Sequence, residues 1–317
     1  MGGTASVATP KDDQKGSTSN LITPNTGIGQ HFLKNPAVVQ AIIEKSGLKP
    51  TDVILEVGPG TGNLTVPMLK KVRKVVAIEF DTRMVREVTK RVEGTDLESK
   101  LTVIQGDVMK TQLPFFDVCV ANIPYQISSA LTFKLLAHRP SFRCAVIMFQ
   151  EEFALRLSAK PGENLYCRLS VNCQLLAKVD QLMRVGRNNF RPPPKVESRV
   201  VRIEVRNPAP DVDFVEWDGM IRLLFNRKNK TMRSGLLTKS TIKMIEENCK
   251  TRRALQAAGV GQKEGTGNGM DEEVDVKQVL TEVCEMEKYK DRRVAKMDID
   301  DFLGLLAEFN RRQIHFA

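Results

Sequence analysis

A chain of 317 residues, 41% of them hydrophobic, can bury a substantial core and has room for more than one domain. Its 48 Lys and Arg against 38 Asp and Glu leave a net charge of +10, which favours a polyanionic partner, most often nucleic acid. The six cysteines form no C-x-x-C pair, and no apolar run approaches the roughly 18–20 residues of a membrane helix. A zinc site, a disulfide framework and a membrane span are therefore not expected.

Residues 1–22 are rich in Gly, Ser and Thr with almost no apolar content, the composition of a disordered tail. They carry neither a signal-peptide core nor the Arg-rich pattern of a transit peptide, which points to cytosol or nucleus. Asn25 to Leu33 reads as a turn, and Pro36 suits the first turn of the helix that follows it. Alone, His31 in that turn is a capping or half-buried histidine; Gln30, His31 and Leu33 gain interest only beside a ligand.

Val53 to Val57 is a short apolar run of strand length. It stops at Gly58-Pro59-Gly60-Thr61-Gly62, and Leu64, Val66 and Leu69 follow at helical spacing. Strand, tight Gly turn, helix is the opening unit of a doubly wound, Rossmann-like α/β sheet. Glycine there lets the backbone approach a ligand, and the helix N-terminus favours an anionic group. The third glycine comes one residue too early for a dinucleotide fingerprint, and no Gly-Lys-Ser/Thr closes a phosphate loop.

The next strand, Lys74 to Glu79, ends in an acid 23 positions after Glu56, where this fold places a carboxylate on ribose hydroxyls. A solvated acid at a strand end is the plain alternative. Leu101 to Gln105 leads into Gly106-Asp107-Val108. Asp107 either caps a helix or accepts from an adenine amino group, with Val108 over the base face. The fourth strand, Phe116 to Ala121, runs into Asn122-Ile123-Pro124-Tyr125, the most specific signal in the chain. An amide, a proline-stiffened backbone and an aromatic ring suit a planar amino-purine, with Tyr125 stacking on it.

A fifth strand, Cys144 to Phe149, offers Phe149 as a second wall for a base or as a core aromatic. A helix is expected around Leu165 to Leu176. Phe190 and Arg191 precede the proline run Pro192 to Pro194 and are placed to edge the pocket, one by stacking and one on phosphate; a strand, Val200 to Val205, follows. Asn207 to Pro210 marks a domain boundary, giving an enzyme domain over 23–207 and a small helical domain over 208–317. That second part opens with a helical segment from Phe214 to about Cys249. Between Ile221 and Lys239 it carries Arg227, Lys228, Lys230 and Arg233 among six cations and no acid, a stretch expected to touch phosphate. Gly259 to Gly269 is a flexible insertion, and a C-terminal helix from Ile299 to about Phe309 buries Phe302, Leu303, Leu306 and Phe309.

At Gln30 to Leu33, Glu56 to Gly62, Gly106 to Val108, Asn122 to Tyr125 and Phe190 to Val196 the chain resembles the ribosomal RNA adenine dimethyltransferases, from about Asn25 to Phe316. Asn25 to His31 and Met297 to Phe302 match its eukaryotic small-subunit branch. The resemblance implies a class I methyltransferase sheet and S-adenosylmethionine as methyl donor. It also implies dimethylation of two adjacent adenines near the 3′ end of small-subunit (18S) ribosomal RNA, and a nucleolar role in ribosome assembly. By position, His31, Leu33, Gly58, Glu79, Asp107 and Asn122 would line the cofactor, and Gly58 and Gly60 would hold its methionine part. Asn122 to Tyr125 would orient the target amine. The chain departs from the pattern at Ile123, where Leu is expected, and in the Gly-rich insertion. No metal is required, and a monomer is expected. Two other readings stay open: a related enzyme acting on another adenine in large-subunit RNA or DNA, and an assembly factor or mitochondrial transcription factor whose methyl transfer is dispensable.

Overall fold

The computed structural model describes residues 24–257 and 275–317, so the tail at 1–22 and the Gly-rich stretch at 259–269 lie outside the described residues. The chain enters through a two-residue strand β1 (Phe32–Leu33) and helix α1 (Pro36–Lys45). Asn35 caps α1 by accepting from Ala37 N at 3.0 Å, and Pro36 takes the first helical position, where its missing N–H costs nothing. Alternation follows: β2 (Val53–Val57), α2 (Thr65–Leu69), β3 (Lys74–Glu79), α3 (Thr82–Lys90), β4 (Leu101–Gln105) and β5 (Val118–Asn122). Then come α4 (Ser128–Ala137), β6 (Cys144–Gln150), α5 (Glu151–Ser158), α6 (Arg168–Leu176), β7 (Ala177–Val185), β8 (Phe190–Arg191) and β9 (Ser198–Val205).

Seven of these strands form one sheet in the order β4-β3-β2-β5-β6-β9-β7, with β1 and β8 pairing separately. The first five are parallel, while β9 runs antiparallel to both β6 and β7. This is the Rossmann-like class I methyltransferase sheet. The central strands read as unbroken apolar runs because helices cover both faces; Ile54, Leu55, Val118, Cys119, Ala145 and Ile147 are fully buried. From β2 the chain moves outward to β3 and β4, then returns to the other side of β2 as β5. That reversal opens a crevice at the carboxyl ends of β2 and β5, the place where open α/β sheets take ligands.

Strand β7 is an element that sequence alone did not assign, and the segment beyond Phe214 divides into α7 (Phe214–Phe225), α8 (Met232–Leu236) and α9 (Lys239–Ala257). The break before α8 is held by a bridge between Thr231 and Arg293. Helices α10 (Val276–Glu285) and α11 (Ile299–Arg311) complete the helical part. In α11 it is Leu305 that is buried with Phe302, Leu306 and Phe309, while Leu303 is only half-buried. Asn207 and Pro208 lie in the loop between β9 and α7, yet the apolar core crosses that loop: Tyr166, Val171 and Leu175 pack in one cluster with Trp217, Leu280 and Phe302. The described cysteines are all free thiols, and no described helix is long and apolar enough to cross a membrane.

Candidate active site

The crevice is a cavity of about 400 Å³, within the usual range for a small-molecule site. Five segments line it: the strap through Gly27 to Leu33, the Gly loop, Glu79 with Phe80, Gly106 to Val108, and Asn122 to Ile127. Gln30, His31, Leu33, Gly58, Gly60, Glu79, Asp107, Val108 and the whole Asn122 to Tyr125 tetrapeptide therefore meet around one space. Backbone geometry explains the loop. Gly58 and Gly60 hold φ of 69° and 54°, a left-handed region that side-chain-bearing residues avoid. A Cβ on Gly60 would press on the Phe32 ring at 3.2 Å.

Two buried carboxyls stand behind the loop. Glu79 receives Gly60 N at 3.1 Å on one oxygen and Asp81 N at 2.9 Å on the other. Burial raises its pKa, although the backbone donors from Asp81, Gly60 and Phe80 oppose the shift. Glu56 is 1% exposed, and its Oε2 has no hydrogen-bond partner among the described residues. Burial pushes its carboxyl up to about 8, and the Glu79 charge adds to the effect. Asp107 turns one oxygen back to Met109 N at 2.9 Å, which fixes the loop beside Val108.

At the end of β5, the Asn122 side-chain nitrogen donates to the His31 carbonyl at 3.1 Å. A carbonyl can only accept, so the amide orientation is settled and Oδ1 is the face left for a ligand. Tyr125 Oη meets the hydroxyl of fully buried Ser198 at 2.7 Å. The strap is tied down along its length. Gln30 donates to Asp81 at 2.9 Å and accepts from Asn25 N at 2.8 Å, and Asn63 donates to the Leu33 carbonyl at 2.7 Å. Gln30 thus lines the cavity with its side chain already engaged by the protein.

Other expected contacts fall elsewhere. Phe149 and Phe190 are 0% and 1% exposed, in two apolar clusters of the sheet body, and neither lines the cavity. Both sit where the sheet is covered, so their rings complete the core. Arg191 is exposed beside Phe190. Lys228 clasps the carbonyls of Asn164 and Tyr166 at 2.8 and 2.9 Å, so its ammonium braces the fold and is not free for phosphate. Arg227 donates to the Ser234 carbonyl and Arg233 pairs with Glu285, while Lys230 is exposed. Sequence reasoning missed Asn63, Phe80, Asp81 and Ser198. It also missed Lys134, whose ammonium donates to the carbonyls of Val108, Met109 and Thr111 and so braces the Asp107 loop from α4. Only Asp81 carried a signal, as an N-cap before α3.

Comparison with known proteins decides what this site belongs to. The model of the family described as ribosomal RNA adenine dimethylase matches residues 23–264. The chain belongs to the ribosomal RNA adenine dimethylase family. It is 53% identical over 292 residues to a probable dimethyladenosine transferase of Drosophila melanogaster, covering 92% of both chains. It is 50% identical over 322 residues to a ribosomal RNA small subunit methyltransferase of Arabidopsis thaliana, covering 91% of both. A crystal structure of a dimethyladenosine transferase from Plasmodium falciparum superposes with a TM-score of 0.79 at 41% identity, over 90% of this chain and 100% of that one.

This dimethylase is an S-adenosylmethionine-dependent enzyme that acts on adenine in ribosomal RNA. Its residues fit that cofactor: the cavity holds a buried unpartnered carboxyl oxygen on Glu56 and a bare Gly58–Gly60 backbone. A Cβ placed on Gly58 would stand 3.7 Å from the Asn122 carbonyl, so the missing side chain keeps the floor of the crevice open.

Proposed function

We propose that the enzyme dimethylates N6 of two adjacent adenosines near the 3′ end of small-subunit (18S) ribosomal RNA. It does so within a pre-ribosomal particle in the nucleolus, as a monomer outside that particle, and it contributes to small-subunit biogenesis. The small-subunit name of the Arabidopsis relative supports the choice of RNA, and the net charge of +10 supports a polyanionic partner.

The observation that carries the reading is the Asn122 amide, held by the His31 carbonyl at the mouth of the β2–β5 crevice. S-adenosylmethionine supplies a methyl group on a positively charged sulfur, an electrophile that needs no activation by the protein. The enzyme's task is to present a poor nucleophile, since the adenine amine shares its lone pair with the ring. Asn122 Oδ1 and the Ile123 carbonyl would accept the two amine hydrogens and favour a pyramidal nitrogen, while Pro124 keeps the backbone extended. Catalysis on this account is positioning with electrostatic support. Glu79 would take the ribose hydroxyls, Asp107 the adenine amino group of the cofactor, and Gly58 with Gly60 its methionine part. The target adenine must leave its stack to enter, so unpaired or flipped adenines are the substrates.

The test uses immature small ribosomal subunits, labelled S-adenosylmethionine and mass spectrometry of the digested RNA. Wild type should yield N6,N6-dimethyladenosine at two neighbouring sites, and Asn122→Ala should lose turnover by about 100-fold or more, as for other lost transition-state hydrogen bonds. Near-normal turnover in Asn122→Ala would sink the mechanism. Binding without methyl transfer by wild type would give the main duty to particle assembly.

A further inference from the structure

The loop after β4 supplies one wall of the cavity through Gly106, Asp107 and Val108. From Asp107 it winds into a single turn, with Lys110 N and Thr111 N donating to the Asp107 carbonyl at 2.9 and 2.8 Å. The chain then runs on without helix, so no following turn supplies N–H groups to the carbonyls at its end. Those of Val108, Met109 and Thr111 converge instead on one side chain. The half-buried Lys134 of α4 donates to them at 2.7, 3.0 and 2.7 Å. An ammonium has three protons, and here each finds a carbonyl.

Three carbonyl dipoles aimed at one spot repel one another unless a cation stands between them. The shape of this turn therefore depends on the Lys134 charge. What the turn carries is the Asp107 carboxyl. Its Oδ1 is drawn back to Met109 N at 2.9 Å, which leaves Oδ2 as the oxygen that can face a ligand. Lys134 holds the carbonyl of Met109 while the N–H of Met109 holds Asp107. The ammonium thus acts on the carboxyl through a single residue of backbone.

The plain alternative is a lysine that buries its stem, reaches a surface turn and contributes stability alone. Two observations weigh against it. The clasped turn lines the cavity, and α4 is also tied to the tetrapeptide, where Ser128 Oγ donates to the Tyr125 carbonyl at 2.8 Å. Lys134 stands about two turns further along the same helix, so α4 sets the Asp107 loop against the Asn122 to Tyr125 segment. We propose that Lys134 is a positioning residue that makes the enzyme selective for an adenine-bearing cofactor, by fixing Asp107 where it meets the purine amine. The inference rests on the role given to Asp107 above.

Binding to the full chain is measured by calorimetry with two ligands. One is S-adenosylhomocysteine; the other is its deamino analogue, in which hydrogen replaces the purine amine. Wild type should prefer the first by roughly 10- to 150-fold, the worth of one hydrogen bond to a charged group. Lys134→Met, similar in length but uncharged, should shrink that preference by about threefold or more and leave the Kd for the deamino analogue within about twofold. Lys134→Arg, which keeps several donors on a cation, should recover most of it. If the Met variant does not fold, the same ratio is read from Lys134→Gln, whose amide retains two donors. Equal weakening of both ligands, or an unchanged preference without the cation, would overturn the proposal, because lost stability alone does not single out one amine. A wild type that binds both ligands alike overturns the role of Asp107 and this inference with it. A preference lost in Asp107→Ala but intact in Lys134→Met overturns the inference alone.

Discussion

Glu56 shows how a single buried side chain links fold and site. Its carboxyl is pushed from the ordinary 4.5 up to about 8, chiefly by burial and further by the Glu79 charge. The unfolded chain ionises near the ordinary value, so between 4.5 and about 8 the folded protein holds a proton that the unfolded chain has lost. Stability therefore falls as pH rises through that window. Glu56→Gln keeps the shape and removes the titration. It should flatten the pH dependence of Tm across the window and leave the variant more stable than wild type at its alkaline end, by ~2–4 °C for each kcal/mol relieved. Parallel melting curves for the two proteins would show that Glu56 ionises normally. At this scale the sequence was legible where chemistry is local. Asn122 to Tyr125 follows a strand directly, and its residue types state a task. Phe149 was not legible, because an apolar run covered on both faces does not reveal which rings face a cavity and which face a helix. Nor was Phe190, because a lone ring in a polar, proline-rich stretch carries no pattern that says whether it turns inward.

The strap from Gly27 to Leu33 is the element on which the site depends most, and its hold is polar. Gln30 bonds Asp81 and Asn25, Asn63 holds Leu33, and β1 pairs with β8. At Gly29, with φ of 77°, an added Cβ would fall 3.2 Å from Pro124 Cβ and closer still to the Gln126 side chain, so no side chain fits there between strap and tetrapeptide. Asp81, the far anchor of Gln30, has its carboxyl held down at about 2, foremost by the Arg83 guanidinium, so it is charged throughout the working range. A hydrogen bond to a charged group is worth about 1.5–3 kcal/mol, so Gln30→Ala should cost roughly 10- to 150-fold in kcat/KM. Limited proteolysis should then cut the strap faster while the sheet stays intact. Unchanged kinetics in this variant would mean that the strap is held without Gln30. Such an element is hard to read from sequence. Two-residue strands such as β1 and β8 have no periodicity, and the nine-residue β7 alternates charge and bulk too irregularly to declare itself after α6. The βα units before it were plain, because their apolar runs end at Gly58, Glu79 and Gly106.

At the scale of the molecule, α6 and the segment before it share a core with the helical part, which closes on residues 315 and 316. Glu216 on α7 is 2% exposed and accepts from Phe316 N at 2.7 Å, from Arg252 at 2.6 Å and from His315 at 3.0 Å. The Phe316 ring packs edge-on against Phe309 of α11, with centroids 5.2 Å apart. The proline-rich stretch at 207–210 was visible in the sequence, but this closure was not, since nothing local ties residue 216 to residue 316. Two glycines separate helix propensity from that packing. Alanine stabilises a helix interior by about 0.8–1.0 kcal/mol relative to glycine. A methyl group on Gly235 in α8 would meet nothing within 4 Å, so Gly235→Ala should gain up to about that amount. Gly219 in α7 has the same propensity to gain, but its Cβ would run into the Phe316 carbonyl oxygen and stand 3.1 Å from the carbonyl carbon. The obstacle is backbone, pinned by Glu216, and it cannot rotate away as a side-chain end would. Gly219→Ala should therefore destabilise by about 1–3 kcal/mol, the usual range for overpacking, with opposite signs for the two variants in one set of denaturant titrations. If both substitutions stabilised, the tail would be loosely docked, and the closure of the helical core would have to come from Trp217 and Phe302 without it.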